Sequence, residues 1–269
     1  MPQLSEINIY PVKSLKGYSV GEANVEPRGL RHDRRWMVVN SEGQFITQRE
    51  YPHMALVSAV VSDDFLTLAA PGMELLNVPI AEQGCAEVIS ARVWRNVCDA
   101  AVVSAEGGAW LSEYLGLQCR LVRMPESTRR AVNPDYAVAE GIVSFADGYP
   151  LMMIGQSSLD DLNSRLDSPV PMDRFRPSLV VSSSGAFAED NWKTIRIGDV
   201  ILHVVKPCDR CIMTTIDQSN GEKTGQEPLK TLASYRLRNQ KVLFGMQMIP
   251  NGPGTIRVGD HIDVLDSIA

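Results

Sequence analysis

The sequence predicts a mainly β protein with a few helices, built as two barrel-like units. Short segments of alternating or β-branched hydrophobic residues follow one another, and each ends near Gly, Pro, Asn or Asp. Many short strands at this spacing are typical of barrels and strongly twisted sheets. A polar, irregular stretch over residues 124–141 separates two such groups. We therefore expect one unit over residues 1–125 and a second over 126–269.

Strand-like segments dominate the first unit. They are INIYPVKSL, ANVEPRGL, RRWMVVNSEG, QFITQRE, ALVSAVV, FLTLAAPG and AEVISARVW. The first predicted helix is AWLSEYLG, in which Leu111 and Leu115 share a face with Trp110 and Tyr114. Gly116 is a natural stop for that helix because glycine readily adopts the left-handed conformation at a helix end.

Two further helices are predicted in the second unit. In SSLDDLNSRL, Ser157 with Asp160 three residues later resembles a capping box, and the leucines form an apolar stripe. A third helix is expected to start at Pro228, with proline in the favoured first position, and to run through KTLASYRLR.

Composition and charge exclude several classes of function. The chain has 269 residues, of which 44% are hydrophobic and 22% charged, and its net charge is −6. An acidic chain of this kind is not expected to bind nucleic acid polymers or anionic membranes through a broad surface. The opening MPQLSEINIY has no signal-peptide pattern, and no apolar run is long enough to span a bilayer. We therefore expect a cytoplasmic protein with free thiols and no membrane partner.

The stretch KPCDRCIMTTID places Cys208 and Cys211 three residues apart, with Lys206 and Arg210 beside them. A redox disulfide is disfavoured because the flanking segments ILHVVKP and IMTTID are strand-like and offer no helix N-terminus to lower a thiol pKa. A zinc site lacks a second pair of ligands at useful spacing. A thiolate that holds a larger metal cofactor is the third alternative, and the two cations would stabilise such a thiolate.

An anionic organic cofactor would also need cations and hydroxyl groups for its phosphate. The first strand is expected to stop at Pro11, so Lys13 and Ser14 follow its end. Arg34 stands just ahead of the strand in RRWMVVNSEG, and Arg176 stands before the strand-like SLVVSS. These residues are far apart in the sequence, so only the fold can bring them together.

The same motifs resemble a known family. KPCDRCIMTTID, together with DRFRPSLVVSSSGAFAEDNWKTIRIGDV and GTIRVGD, is similar to the MOSC domain. IYPVKSLKG, GLRHDRRWMVV and FITQRE resemble the β-barrel domain that precedes it. The combination resembles the bacterial YcbX-type proteins and the mitochondrial amidoxime-reducing component over nearly the whole chain.

The resemblance implies a molybdenum cofactor, in which a pterin dithiolene on molybdenum is completed by one protein thiolate. It implies Cys211 as the metal ligand and Cys208 as a neighbour only. The cofactor-binding positions that it implies are Lys13, Ser14, Arg34, Gly148, Tyr149, Arg176, Ser178 and Arg210. The mitochondrial relative has Asn in place of Ser178, and Thr–Ser in place of the Gly–Tyr pair.

The implied activity is the reduction of N-hydroxylated compounds such as amidoximes, hydroxylamines and N-hydroxylated bases. Asp147 is the candidate for orienting the substrate or relaying a proton. The sequence shows no ferredoxin-type cysteine cluster of the kind that longer YcbX-type proteins carry, so a separate ferredoxin-like iron–sulfur or flavin reductase is expected as electron donor. The alternatives are a carrier or handling protein for molybdenum cofactor or sulfur, and a thiol–disulfide protein, which would need both cysteines.

Overall fold

The computed structural model describes residues 1–80, 87–138, 141–223 and 225–268. Within this part of the chain it has nineteen strands and three α-helices, which confirms the mainly β prediction. The strands are β1 (Gln3–Ile9), β2 (Tyr18–Val20), β3 (Glu22–Glu26), β4 (Gly29–Leu30), β5 (Trp36–Asn40), β6 (Ser58–Val61), β7 (Phe65–Ala69), β8 (Leu76–Pro79), β9 (Val88–Val93), β10 (Asn96–Ser104), β11 (Cys119–Arg123), β12 (Leu151–Gly155), β13 (Leu179–Ser182), β14 (Trp192–Ile197), β15 (Val200–Asp209), β16 (Leu237–Arg238), β17 (Lys241–Pro250), β18 (Gly254–Arg257) and β19 (Ile262–Ser267). The helices are α1 (Ala105–Leu115), α2 (Gln156–Asn163) and α3 (Leu229–Arg236).

The largest sheet has the strand order β19-β14-β15-β17-β12-β13-β1-β2, with β16 paired to β17. β12 and β13 run parallel, which is possible because α2 connects them, whereas the other neighbours pair antiparallel. Its inward side chains form one core, which includes Leu4, Ile7, Ile195, Leu202 and Met248.

Two smaller sheets form most of the first half. One has the order β5-β11-β10-β9 and the other the order β6-β7-β8. The alternate residues Leu66 and Leu68 of β7 point into a second core together with Trp36, and Leu111 and Leu115 of α1 pack on it. Of the helices in the described residues, none is both long and apolar enough to cross a membrane.

The first strands of the chain pair with strands of the second half. Leu4 of β1 lies opposite Val181 of β13, and Ala23 of β3 lies opposite Ile256 of β18. The predicted division at residue 125 therefore does not coincide with a gap between sheets, because the first thirty residues supply strands to the second half. As a division into domains it stays a prediction.

Two segments predicted as strands have a different structure. QFITQRE forms no strand and has turns at its end, with two isolated bridges, Phe45 to Val39 and Gln44 to Arg92. In IMTTID, residues Ile212–Thr215 form a 3-10 turn. The hydroxyl of Thr214 donates to the Cys211 carbonyl, and the hydroxyl of Thr215 donates to the Ile212 carbonyl. These local bonds favour a turn over the strand that the β-branched composition predicts.

The three predicted helices are present, but all three starts differ from the prediction, and α1 begins at Ala105, four residues before the predicted AWLSEYLG. α1 ends at Gly116, whose φ of 68° is left-handed as expected. α2 starts after Gly155, not at Ser157, because the Ser157 hydroxyl donates to the Ser184 carbonyl and does not cap the helix. α3 starts at Leu229, so Pro228 stands one position outside the helix.

Candidate active site

All ten predicted site residues line one pocket, at the seam between the two halves of the chain. They are Lys13, Ser14, Arg34, Asp147, Gly148, Tyr149, Arg176, Ser178, Arg210 and Cys211. The fold thus brings them together, while the role of each stays a prediction. The volume of the pocket is about 150 Å³. This is below the roughly 300 Å³ at which pockets enclose whole organic ligands, so a large ligand would extend through the pocket mouth.

Cationic side chains outnumber carboxylates in the lining of the pocket, although the chain as a whole is acidic. Among the described residues, six cationic side chains line it against the two carboxylates of Asp147 and Asp209. The cations are Lys13, Arg34, Arg49, Arg174, Arg176 and Arg210. A concave site with this excess of positive charge attracts and holds anions.

Arg34 and Arg176 form a fixed cationic pair on one wall. Their guanidinium groups lie 4.2 and 4.3 Å from the centroid of the Tyr10 ring. Arg34 Nη1 is 2.7 Å from an oxygen of Asp33, and Arg34 Nη2 donates to the Arg176 carbonyl at 3.2 Å. Burial lowers the pKa of Arg176 to about 10, which still leaves the group charged at neutral pH.

Three of the predicted site residues have a left-handed backbone. The φ angles are 67° for Ser14, 49° for Arg34 and 54° for Arg176. Such angles are uncommon outside glycine and cost of order 1 kcal/mol each. Hydrogen bonds hold two of these conformations, because Gln48 Nε2 donates to the Ser14 carbonyl and the Arg34 amide donates to the Tyr10 carbonyl, both at 2.8 Å. Strain that the surroundings maintain is characteristic of binding sites.

The thiol of Cys211 faces Arg49, a residue that the sequence reasoning did not single out. Cys211 follows the end of β15 and is half-buried, and Arg49 Nη2 donates to its Sγ at 3.2 Å. The two residues are 162 positions apart. In the sequence, only the family resemblance of the FITQRE segment, which contains Arg49, could have pointed to this residue. This guanidinium places a positive charge next to the sulfur atom.

The expectation that Lys206 and Arg210 stabilise the Cys211 thiolate is corrected by their contacts. Arg210 Nη1 donates to Sγ of Cys208 at 3.1 Å, and Arg210 Nη2 donates to the Phe175 carbonyl at 2.6 Å. Lys206 pairs with Asp209 at 3.4 Å. Burial raises the pKa of the Cys208 thiol against the opposing charge of Arg210, which favours a neutral thiol there. The two cysteines therefore lie in different environments.

Asp147 carries the carboxylate nearest to the thiol–guanidinium pair. It accepts hydrogen bonds from Lys13 Nζ and, at 3.0 Å, from Trp94 Nε1, and Arg49 Nη2 is 3.6 Å away. Burial raises the pKa of Asp147, but the charges of Lys13 and Arg49 outweigh it and hold the pKa well below its usual range. Burial lowers the pKa of Lys13, and Asp147 opposes this shift. At neutral pH we expect an ionised carboxylate held in place from three directions.

Hydrogen bonds from Arg130 hold the loop that contains Asp147. Arg130 is a second residue that the sequence analysis did not single out. Arg130 is buried, and its guanidinium donates to the carbonyls of Ser144, Ala146 and Asp147 at 2.8, 2.5 and 2.8 Å. It belongs to the polar, irregular stretch 124–141, which the sequence analysis treats only as a separator of two groups of strands. The two residues at positions 139 and 140 lie outside the described part of that stretch.

The remaining predicted residues differ in how closely they are packed. Ser178 is buried, and its hydroxyl accepts the Met152 amide at 3.4 Å. Gly148 has open space where a side chain would stand, since a Cβ there would meet no atom within 4 Å. Burial raises the pKa of the Tyr149 hydroxyl to about 12, so it is a neutral hydrogen-bonding group at the pocket wall.

Comparisons with known proteins cover both halves of the chain. A family model described as the MOSC N-terminal beta barrel domain matches residues 1–118, and one described as the MOSC domain matches residues 140–263. The mitochondrial amidoxime-reducing component 1 of Mus musculus is 37% identical, over 97% of this chain and 82% of that protein. The human protein of the same name is 36% identical over the same shares. The mitochondrial amidoxime reducing component 2 of Rattus norvegicus is 37% identical over 96% and 82%.

Proposed function

The chain belongs to the family of MOSC proteins with an N-terminal β-barrel domain that includes the amidoxime-reducing components, and from this we propose that it is a molybdenum-cofactor-dependent reductase of N-hydroxylated compounds. Its substrates would be small molecules such as amidoximes, hydroxylamines and N-hydroxylated bases. The relatives are named for amidoxime reduction, which supports this substrate class over others.

The main support for the proposal is the environment of the Cys211 thiol. It lies in a pocket with six cations, of which Arg49 contacts it directly. A soft thiolate in an electropositive pocket suits a transition metal that belongs to an anionic cofactor. Asp33, Asp147 and Asp217 pair with four of the six cations and offset part of their charge, and an anionic cofactor would offset more. The residues present therefore fit the proposed cofactor.

The chain would hold this cofactor from both halves. Cys211 would provide the thiolate ligand of the metal. Lys13 and Arg34 from the first half, with Arg176 from the second, would bind the phosphate and the pterin. Ser14 and Ser178 would add hydroxyl groups at the same wall. When bound, the cofactor supplies the two electrons and the Lewis acidity that break an N–O bond.

Asp147 would orient the substrate. Because its pKa is held below the usual range, its carboxylate is ionised at neutral pH and acts as a hydrogen-bond acceptor. An amidoxime presents N–H and O–H donors that such a carboxylate can accept. Lys13 and Trp94 hold the carboxylate in position. Substrate binding therefore does not have to restrict the motion of this side chain. This arrangement supports orientation by Asp147 over proton donation by it.

The overall reaction consumes two electrons and two protons for each N–OH group and releases water. We propose that a separate redox protein, of the ferredoxin-like iron–sulfur or flavin reductase class, delivers the electrons. The relatives are each named a component, which is in keeping with a second protein. Turnover can be measured with a chemical reductant in place of this protein. That measurement tests the reaction at the pocket without requiring that the natural electron donor be known.

The test is molybdenum content and turnover of an aromatic amidoxime, measured on protein from a host that makes the cofactor. We expect about one molybdenum per chain in the wild type and in Cys208→Ser, and almost none in Cys211→Ser. Cys208→Ser is the matched control because it removes a neighbouring thiol of the same pocket. Equal loss in both variants would refute the ligand assignment. A folded wild type without molybdenum would favour a carrier of cofactor or sulfur instead.

A further inference from the structure

A second cavity of about 410 Å³ lies on the other side of the segment that carries Arg34. It is lined by residues 26–28, 31, 32 and 35, by residues 123, 126 and 129, and by Ile142, and it shares none of these with the first pocket. Arg34 faces the first pocket while Arg35 faces the second. The volume is in the range of cavities that take small-molecule ligands, roughly 300 to 1,000 Å³.

The lining of this cavity is dominated by arginine. Among the described residues, five arginines face two glutamates, and positive charge remains in excess when Arg123 is left out of the count. The arginines are Arg28, Arg31, Arg35, Arg123 and Arg129. Burial, and then the neighbouring charge of Arg31, lowers the pKa of His32 to about 4, so this imidazole is neutral at physiological pH and adds no charge.

Two of the arginines are held at the inner wall of the cavity. Arg28 and Arg35 are 6% and 5% exposed. Arg28 Nη2 donates to the carbonyls of Thr128 and, at 3.1 Å, of Glu126, and Arg35 Nη2 donates to the Met124 carbonyl at 3.2 Å. Carbonyl groups orient the guanidinium groups without cancelling their charge. The Glu126 carboxylate, 2.6 Å from Arg35 and 65% exposed, offsets part of it, and Glu26 also acts on Arg28.

The outer arginines are accessible. The side chain of Arg31 is 58% exposed, and its nearest carboxylate is Glu26 at 4.0 Å. Arg129 is exposed and makes no hydrogen bond or ion pair with any of the described residues. A ligand that entered the cavity would therefore meet fixed guanidinium groups at the inner wall and adjustable ones at the rim.

We propose that this cavity binds a small phosphate-bearing anion with two or three negative charges. Such a ligand matches the excess charge, and guanidinium groups bind phosphate oxygens through paired hydrogen bonds. The concave shape and the buried positions of Arg28 and Arg35 favour a small molecule. An acidic protein surface would reach Arg31 and Arg129 at the rim but not the inner wall.

The experiment is calorimetric titration of the purified chain with inorganic pyrophosphate at constant ionic strength. The test variant is the double substitution Arg31→Gln/Arg129→Gln, which changes exposed residues and should leave the fold intact. We expect binding to this site to weaken roughly tenfold or more, because two charge-assisted contacts are lost. The first pocket keeps all its residues in this variant, so the comparison does not depend on whether that pocket holds its cofactor.

A control removes two other exposed arginines, Arg165→Gln/Arg196→Gln, whose side chains are 47% and 50% exposed. The control should bind pyrophosphate as the wild type does. Equal weakening in both double variants would mean general charge attraction and would overturn the proposal. Wild-type affinity in the Arg31→Gln/Arg129→Gln variant, or no binding by the wild type, would overturn it as well.

Discussion

At the scale of single residues, the site is organised around a guanidinium that no local pattern marks. Arg49 contacts the Cys211 thiol, lies 3.6 Å from the Asp147 carboxylate, and stacks at 4.6 Å from the centroid of the Trp94 ring. These contacts join the proposed metal ligand to the proposed substrate-orienting carboxylate. The residue is thus placed to position both groups, even though it reacts with neither.

We predict that Arg49→Met lowers kcat/KM of the cofactor-loaded protein by roughly 10- to 100-fold, the range typical of groups that support a metal ligand. Arg49→Lys should recover part of this loss, because it keeps the charge but cannot span both the thiol and the carboxylate. The measurement is steady-state turnover of an amidoxime, normalised to molybdenum content.

Arg120→Met serves as the control for the Arg49 variants, since Arg120 pairs with Glu87 on the surface of the first half. This variant should keep wild-type turnover. Full molybdenum content together with full turnover in Arg49→Met would show that the contact with Cys211 has no positioning role.

At the scale of elements, the site is built where strands end or become irregular. The pairing of β15 with β17 shifts register between Pro207 and Asp209, next to Cys208. On the facing strand, Gly245 has a φ of 78°, and a Cβ there would lie 2.6 Å from Ile154 Cγ1 and 2.7 Å from the Met153 carbonyl oxygen. Glycine at this position permits a bulge. The bulge determines the direction in which the last residues of β15 approach the pocket.

We predict that Gly245→Ala lowers the free energy of unfolding by about 3 kcal/mol or more, because it adds both left-handed backbone strain and a collision with a backbone oxygen. Gly116→Ala is the matched control. Gly116 also has a left-handed φ of 68°, but a Cβ there would meet no atom within 4 Å, so the loss should be only about 1 kcal/mol. Urea denaturation of the two variants measures both values, and equal losses would contradict the argument from close approach.

At the scale of the whole molecule, the two halves share their sheets and their site. β1 completes the large sheet of the second half, and β3 pairs with β18. Leu4 and Ile7 of β1 are fully buried in the core that the second half provides. The second half as divided by the sequence, 126–269, therefore lacks strands of its own large sheet, whereas the sheets β5-β11-β10-β9 and β6-β7-β8 lie wholly within 1–125.

We predict that residues 126–269 alone do not unfold cooperatively, because removing β1 and β3 exposes an apolar core and leaves strand edges unpaired. The measurement is urea unfolding followed by circular dichroism. A fragment in which residues 1–30 are joined to 126–269 by a flexible linker should recover a cooperative transition. Cooperative unfolding of 126–269 alone would contradict the prediction and would support an independent domain at that boundary.

Local sequence patterns predict the class of the fold, and the family resemblance points to most of the candidate site. Strand periodicity and turn residues depend on neighbours a few positions apart, so the mainly β class and the three helices could be predicted, as could the stop at Gly116. The resemblance pointed to ten residues, and the fold brings all ten to one pocket. The turn at Ile212–Thr215 was missed because side-chain hydrogen bonds outweighed its β-branched composition.

Which charged side chains contact one another depends on the tertiary structure. Arg49 and Cys211 are 162 positions apart, and Arg34 and Arg176 are 142 positions apart, so no local pattern reports either contact. The same holds for Arg130, which fastens the Asp147 loop. It also holds for β1, whose pattern predicts a strand but not the half of the molecule that it joins. Packing and register select these contacts from many that the sequence allows, because side-chain charges act through space and not along the chain.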